Sequence, residues 1–198
     1  MKKIALLLLI FLPGLISAQD IRFGVKGGFN LANFQGENNG GHYKFGGYAG
    51  LFASYNFTDI IGLQTEVMYA QQGFRDHIDG ESATISLDYI TVPLLVKFSL
   101  RNYEQFKFLL GPQVGYLLRS KEDPDVYSDD NPVAQILPKS DTFEDFDYGA
   151  VLGLEYEFSD QFLLNARYYH GLAEFFNQDK VESEAQNRVF SLGIAYHF

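Results

Sequence analysis

The chain has 198 residues, with 19 phenylalanines, 13 tyrosines and 19 glycines but no cysteine or tryptophan. Its formal net charge of −10 speaks against a nucleic-acid partner, because binding phosphate needs a cationic surface that releases counterions. The absence of cysteine excludes a disulfide scaffold and an anchor through an acylated N-terminal Cys. The aromatic- and glycine-rich balance favours β-structure over a helical bundle.

Met1, Lys2 and Lys3 make a cationic start, residues 4–12 an apolar run, and Ser17-Ala18 a small-residue site before Gln19. This order reads as a cleavable secretory signal over 1–18, followed by a single domain over 19–198. The run falls short of the roughly 20 apolar residues of a membrane-crossing helix, and Pro13 and Gly14 interrupt it. No later stretch is apolar enough to span as a helix, so membrane attachment falls to the folded body.

Period-two alternation, the mark of a strand whose two sides meet different surroundings, then recurs eight times. Over 21–31, Ile21, Phe23, Val25, Phe29 and Leu31 share one face, and Arg22, Gly24, Lys26, Gly28 and Asn30 the other. Over 43–57, Leu51, Ala53, Tyr55 and Phe57 align, with Gly46-Gly47 blurring the register. Over 61–70, Ile61, Leu63, Thr65, Val67 and Tyr69 oppose Gly62, Gln64, Glu66, Met68 and Ala70. Over 87–100, Ile90, Val92, Leu94, Val96 and Phe98 oppose Tyr89, Thr91, Pro93, Leu95 and Lys97. Pro93 cannot donate to a ladder, which predicts a bulge or local break there. Over 106–118, Val114, Tyr116 and Leu118 oppose Gly111, Gln113 and Gly115. The stretch 146–157 sets Tyr148, Leu152 and Tyr156 against Asp147, Gly153, Glu155 and Glu157. In 162–173, Leu164, Ala166 and Tyr168 oppose Asn165, Arg167 and Tyr169.

The last segment ends on Phe190, Leu192, Ile194, Tyr196 and Phe198, separated only by Ser191, Gly193, Ala195 and His197. A strand finishing on a terminal aromatic resembles the sorting signal that the assembly machinery of bacterial outer-membrane barrels reads. Long polar segments over 33–42, 73–84, 119–145 and 174–188 alternate with short turns at Thr58-Asp59, Asn102-Tyr103 and Ser159-Asp160. That alternation is expected of an all-β, eight-stranded antiparallel up-and-down transmembrane barrel, with the long loops extracellular and both termini periplasmic. The four long segments together hold the whole net charge, and the rest of the chain is neutral.

Glycine interleaved with charge on the less apolar face suits a narrow polar lumen filled by side chains better than the outside of a soluble barrel. The apolar face then meets outer-membrane lipid, with Tyr and Phe near strand ends as interfacial girdles. The inward charges balance: Arg22, Lys26, Lys97 and Arg167 against Glu66, Asp147, Glu155 and Glu157. Unpaired charge in so confined a space is costly. This predicts an ion-pair network of Lys26, Glu66, Lys97, Asp147, Glu155 and Arg167 that plugs the barrel.

Six stretches carry a family resemblance. They are Phe23-Gly-Val-Lys-Gly-Gly-Phe-Asn30, Val92-Pro-Leu-Leu-Val-Lys-Phe98, Leu110-Gly-Pro-Gln-Val-Gly-Tyr116, Phe146-Asp-Tyr-Gly-Ala-Val-Leu-Gly-Leu-Glu155, Ala166-Arg-Tyr-Tyr-His-Gly-Leu172 and the terminal strand. In this order and spacing the chain resembles the PorT-like outer-membrane β-barrel family over its whole mature length. The resemblance implies an eight-stranded outer-membrane barrel without enzymatic activity. The member that names the family takes part in exporting proteins to the cell surface, a role the resemblance does not itself transfer.

Residues able to carry chemistry are few. Asp123, Asp125, Asp129, Asp130 and Asn131 cluster hard oxygen ligands in the longest loop, yet lack the glycine and closing glutamate of a calcium loop. They read as a solvated acidic segment, and no metal or cofactor is expected. His170 has the lipid-facing parity near the extracellular end, His42 and His77 lie in loops and His197 at the periplasmic rim; none has a Ser-x-His partner, and no catalytic residue is assigned. Val126, Tyr127, Val133, Ile136 and Leu137 leave open whether the acidic loop 119–145 docks a surface or secretion-system protein or folds back on the barrel mouth. Expected partners are thus outer-membrane lipid, the barrel assembly machinery and such a surface protein. A narrow solute channel and, more distantly, a lipid-modifying enzyme are the alternative readings.

Overall fold

Eight alternating stretches become eight strands, each hydrogen-bonded to the next. The computed structural model describes residues 21–36, 42–78, 81–122, 144–173 and 185–198. The strands are β1 (Ile21–Gly36), β2 (His42–Asn56), β3 (Ile61–Ile78), β4 (Glu81–Leu100), β5 (Tyr103–Glu122), β6 (Phe146–Glu157), β7 (Phe162–Gly171) and β8 (Ala185–His197). All neighbours are antiparallel, and β8 returns to β1 to close the barrel, in register from Gly24↔His197 to Gly36↔Ala185. Closure pairs both edges, which a sheet within a bilayer requires. The Phe198 amide extends the seam by donating to the Phe23 carbonyl at 2.9 Å. The signal over 1–18 and the loop cluster Asp123 to Asn131 lie outside the described residues, as do Val133, Ile136 and Leu137.

Short turns gather at one end. Thr58 Oγ1 accepts from the Ile61 amide at 3.0 Å, and Ser159 Oγ from the Phe162 amide at 3.0 Å, so each hydroxyl closes its own turn. At the opposite, loop end the strands differ in height. β6 and β7 have 12 and 10 residues, whereas β3, β4 and β5 have 18, 20 and 20. A tilted strand crosses a bilayer in about 9–11 residues, so β3 to β5 rise beyond the short side as a tall wall.

This wall corrects the expected polar loop over 73–84. β3 and β4 stay paired down to Ile78↔Glu81, held by the ladder's backbone bonds and, at its base, by the cross-strand partners Phe74 and Ile85, both buried. Likewise 119–122 belong to β5 and 185–188 to β8. Of the bulge or local break expected at Pro93, the structure has the break. The β3–β4 pairing has a gap between Thr65↔Leu94 and Met68↔Thr91 with the same register on both sides, a break without a bulge, and Thr65 Oγ1 donates to the Pro93 carbonyl at 3.1 Å. The β4–β5 register shifts at Asp88/Tyr89 and Ser99/Leu100, and the β2–β3 register between Tyr43 and Tyr48, beside Gly46-Gly47.

The alternation sorts faces as expected. Phe23, Phe29, Leu51, Val67, Leu94, Leu110, Leu152, Leu164 and Leu192 are exposed on the outer wall. Aromatic pairs ring it near both ends: Phe106–Tyr156, Phe162–Tyr196 and Tyr55–Phe57 at the turn end, Phe29–Phe45 and Tyr168–Phe190 at the loop end, with ring centroids 4.7–5.0 Å apart. The core is the barrel interior, and it is less polar than expected. Leu95, Leu109, Val151, Tyr169, Val189 and Ala32 pack in one cluster, and Phe52, Leu163 and Ala195 in another. An interior too narrow for water is filled by whatever volumes fit, and charge is needed at only some levels.

Candidate functional site: a charged belt across the lumen

Four strands each send one charged side chain to the same level of the lumen. Lys26 on β1 donates from Nζ to Glu66 Oε1 on β3 at 2.9 Å and to Glu155 Oε1 on β6 at 3.0 Å. Arg167 on β7 grips the Glu66 carboxylate with two parallel bonds, Nη1 to Oε2 at 2.6 Å and Nη2 to Oε1 at 2.5 Å, the strong fork geometry of guanidinium with carboxylate. Gln64 Nε2 bridges the two acids, donating to Glu66 Oε1 at 2.8 Å and Glu155 Oε1 at 3.0 Å. The belt is neutral, two cations against two anions. Lys26, Gln64, Glu66 and Glu155 are all at most 4 % exposed.

Small residues make the room. Arg167 pairs across the ladder with Gly153, where an added Cβ would crowd Leu109 Cβ at 3.3 Å. The Tyr48 hydroxyl occupies the space a Gly193 side chain would need, and there donates to Asn165 Oδ1 at 2.6 Å. The Lys26 ammonium also lies 5.2 Å from the centroid of the Phe52 ring, a cation–π contact in a desolvated place.

Of the six residues expected in one network, four therefore meet and two do not. Asp147 lies nearer the loop end, where Asn187 Nδ2 donates to Asp147 Oδ2 at 3.0 Å and to Gln72 Oε1 at 2.6 Å. Lys97 lies toward the turn end, within the field of Glu155, Glu157, Lys107 and Arg22. Parity fixes which face a residue takes but not its height along the axis, so residues of one face separate into levels. Arg22, expected inside, is exposed at the rim. Lys107 was overlooked: it is buried and ion-paired with Glu157, and its position one residue off Phe106 and Phe108 was the available signal.

Below the belt a vestibule of about 780 Å³ opens at the turn end, lined by Arg22, Arg101, Glu157 and His197 among others. Above it a void of about 40 Å³ lies between Tyr48, Gln72, Arg167 and Tyr169. Lys44 on β2 reaches inward to the Gln72 carbonyl at 3.1 Å. Among the described residues no three His, Asp or Glu side chains are grouped to hold a metal ion. His170 contacts Tyr168, His42 is exposed and His197 lies edge-on to Phe52 with ring centroids 4.9 Å apart; the His77 side chain lies outside the described residues. Phe190, Leu192, Ile194 and Phe198 project outward and are exposed, with Tyr196 half-buried between Phe162 and Phe198.

The model of the outer membrane protein beta-barrel domain matches residues 17–177, most of the chain. The chain belongs to the outer-membrane β-barrel family. Among solved structures, Neisserial surface protein A is 17% identical, with 89% of this chain and 97% of that one covered and a TM-score of 0.57. Ail of Yersinia pestis is 14% identical over 90% and 99% of the two chains at a TM-score of 0.49. OprG of Pseudomonas aeruginosa is 12% identical over 89% and 95% at 0.45. At such identities the likeness speaks for the fold alone, a closed eight-stranded antiparallel barrel. No curated protein matches the chain. As an outer-membrane barrel the chain crosses with strands, and among its described residues no helix is long and apolar enough to do so.

Proposed function

We propose that this protein is a closed, non-enzymatic barrel with a structural or accessory role in the outer membrane, its termini and short turns periplasmic and its acidic segments outside. The belt of Lys26, Glu66, Glu155 and Arg167 carries this reading. It ties β1 and β3 to β6 and β7 through the axis, where an open pathway would have to run. In planar bilayers the protein gives no steady single-channel conductance; a large, steady one overturns the plug. The orientation follows the rule that barrel turns are short on the periplasmic side, and a C-terminal tag that labels only after the outer membrane is permeabilised checks it.

The accessory role rests on the acidic segment 119–145, and the PorT-like resemblance makes a secretion-system or other surface protein its natural partner. Cross-linking from this segment in intact cells separates the cases, a specific protein adduct supporting an interaction role and none a plain structural barrel. The terminal aromatics Phe190 to Phe198 serve as the signal for the barrel assembly machinery. Against lipid-modifying chemistry stands His170, whose Nδ1 meets the Tyr168 hydroxyl at 3.3 Å and which among the described residues has no serine paired across from it.

A further inference from the structure

On the short side of the barrel, His170 of β7 and Arg188 of β8 are cross-strand partners. Asn187 points into the lumen and Tyr168 and Phe190 outward, so by alternation His170 and Arg188 face outward side by side. Their described neighbours on that face are Ala150, Tyr168, Leu172, Gln186, Phe190, Leu31 and Asn33, none of them charged. The Arg188 Nε is buried without a hydrogen-bond partner. Tyr168 Oη lies 3.3 Å from His170 Nδ1; with that hydroxyl donating, Nε2 carries the ring proton and points away from Tyr168 as a donor.

The height of the pair identifies what it meets. His170 stands eight residues beyond Phe162 of the turn-end girdle, about 26 Å along the strand at ~3.3 Å per residue, or about 20 Å along the axis at a tilt of about 40°. The apolar band of such barrels is about 25 Å tall, so the Cα atoms of the pair lie about 5 Å below its upper edge, directly above the Tyr168–Phe190 ring pair, and the long Arg188 side chain can reach up to headgroup depth. Below it Ala150, Ala166 and Leu192 leave a smooth apolar wall for acyl chains. A guanidinium and an imidazole N–H on cross-strand positions of one outward face match the oxygens of a phosphate, whose charge strengthens the bonds it accepts from both.

We propose that His170 and Arg188 form a binding site for the phosphate of a lipid headgroup in the outer leaflet, the leaflet assignment resting on the orientation proposed above. To test it, the full chain is placed in nanodiscs of digalactosyldiacylglycerol, a matrix lipid without phosphate, containing diphosphorylated lipid A or the same lipid stripped of phosphate, and retained lipid A is counted by native mass spectrometry. The wild type retains the phosphorylated lipid. Stripping the phosphate, or the double variant His170→Asn and Arg188→Gln, weakens retention about tenfold, the scale of one lost charge-assisted bond, while Arg188→Lys recovers part of it. Heat-modifiable gel mobility reports folding of each variant, and should the double variant fail it, His170→Asn alone carries the comparison. Equal retention of the stripped lipid, or wild-type retention by a folded variant, overturns the site. Displacement of the lipid by inorganic phosphate alone makes it a free-anion site and overturns the lipid reading. Lipid is present in both leaflets of the nanodisc, so an inverted orientation leaves retention intact and is detected only by the C-terminal tag.

Discussion

Glu66 is the residue on which the belt turns, since both cations bond to it and Gln64 bridges it to Glu155. Replacing it by alanine leaves Lys26 and Arg167 to share Glu155 alone, at 3.0 and 3.9 Å, so one positive charge is left uncompensated in the buried lumen. Breaking a buried pair from one side costs about 3–5 kcal/mol because an uncompensated charge remains. Glu66→Ala therefore lowers the urea midpoint of the barrel in lipid vesicles by that equivalent, read from the gel-mobility difference between folded and unfolded forms. A companion variant with Lys26→Met in the same chain restores part of the loss, because it removes one stranded charge. The sequence showed that these side chains face inward, by strict alternation with Val25, Val67, Leu154 and Ala166. It did not show that Lys26 meets Glu66 and Glu155 while Lys97 and Asp147 lie at other levels. Those contacts join positions 40 and 129 residues apart, and their height is set by register and shear, which no local pattern encodes.

At the scale of the strand, outward positions are equivalent by parity but not by depth. Leu192 stands six residues from the chain end on β8 and pairs with Ala166 of β7 and Phe29 of β1, which puts it near mid-band. Leu118 is exposed at the β4–β5 register shift, far up the tall wall. Arginine at a bilayer midplane costs about 2–4 kcal/mol and near or beyond the interface about 0–1. Leu192→Arg thus destabilises the folded barrel by about 2–4 kcal/mol and Leu118→Arg by about 0–1 kcal/mol, measured by the same urea titration. Equal losses at both sites would place the band elsewhere. The tall wall was the element least legible in the sequence. Its Gly73 has φ +121°, a conformation that side chains with a Cβ rarely adopt, and the Gly, Asp and Ser around it read as a loop. Above the lipid the hairpin needs no apolar outer face; its ladder and the buried Phe74 and Ile85 on its inner face hold it. Gly73→Ala, which also brings a Cβ against the Ile85 carbonyl, costs about 1–2 kcal/mol by the left-handed penalty and shows as faster amide exchange confined to β3 and β4.

For the whole molecule, charge is sorted by region: the net −10 belongs to the four long polar segments, and the remainder of the chain sums to zero. The lumen repeats that neutrality at its belt, which allows a test of closure that does not strand charge. The fourfold variant Lys26→Ala, Glu66→Ala, Glu155→Ala and Arg167→Ala removes two cations and two anions together, so it avoids the penalty of a single deletion. It also joins the vestibule of about 780 Å³ to the void of about 40 Å³ above it. If the belt is the seal, this variant shows cation and anion conductance in planar bilayers where the wild type shows none, with little ionic preference because the cleared level carries no charge. If the folded variant stays silent, the cluster of Leu95, Leu109, Val151 and Tyr169 closes the barrel by itself, and the belt's role is to hold opposite strands together rather than to block a path. Either result bears on the accessory reading. A lumen sealed twice leaves the outer rim and its acidic segments as the surfaces through which this barrel meets its surroundings.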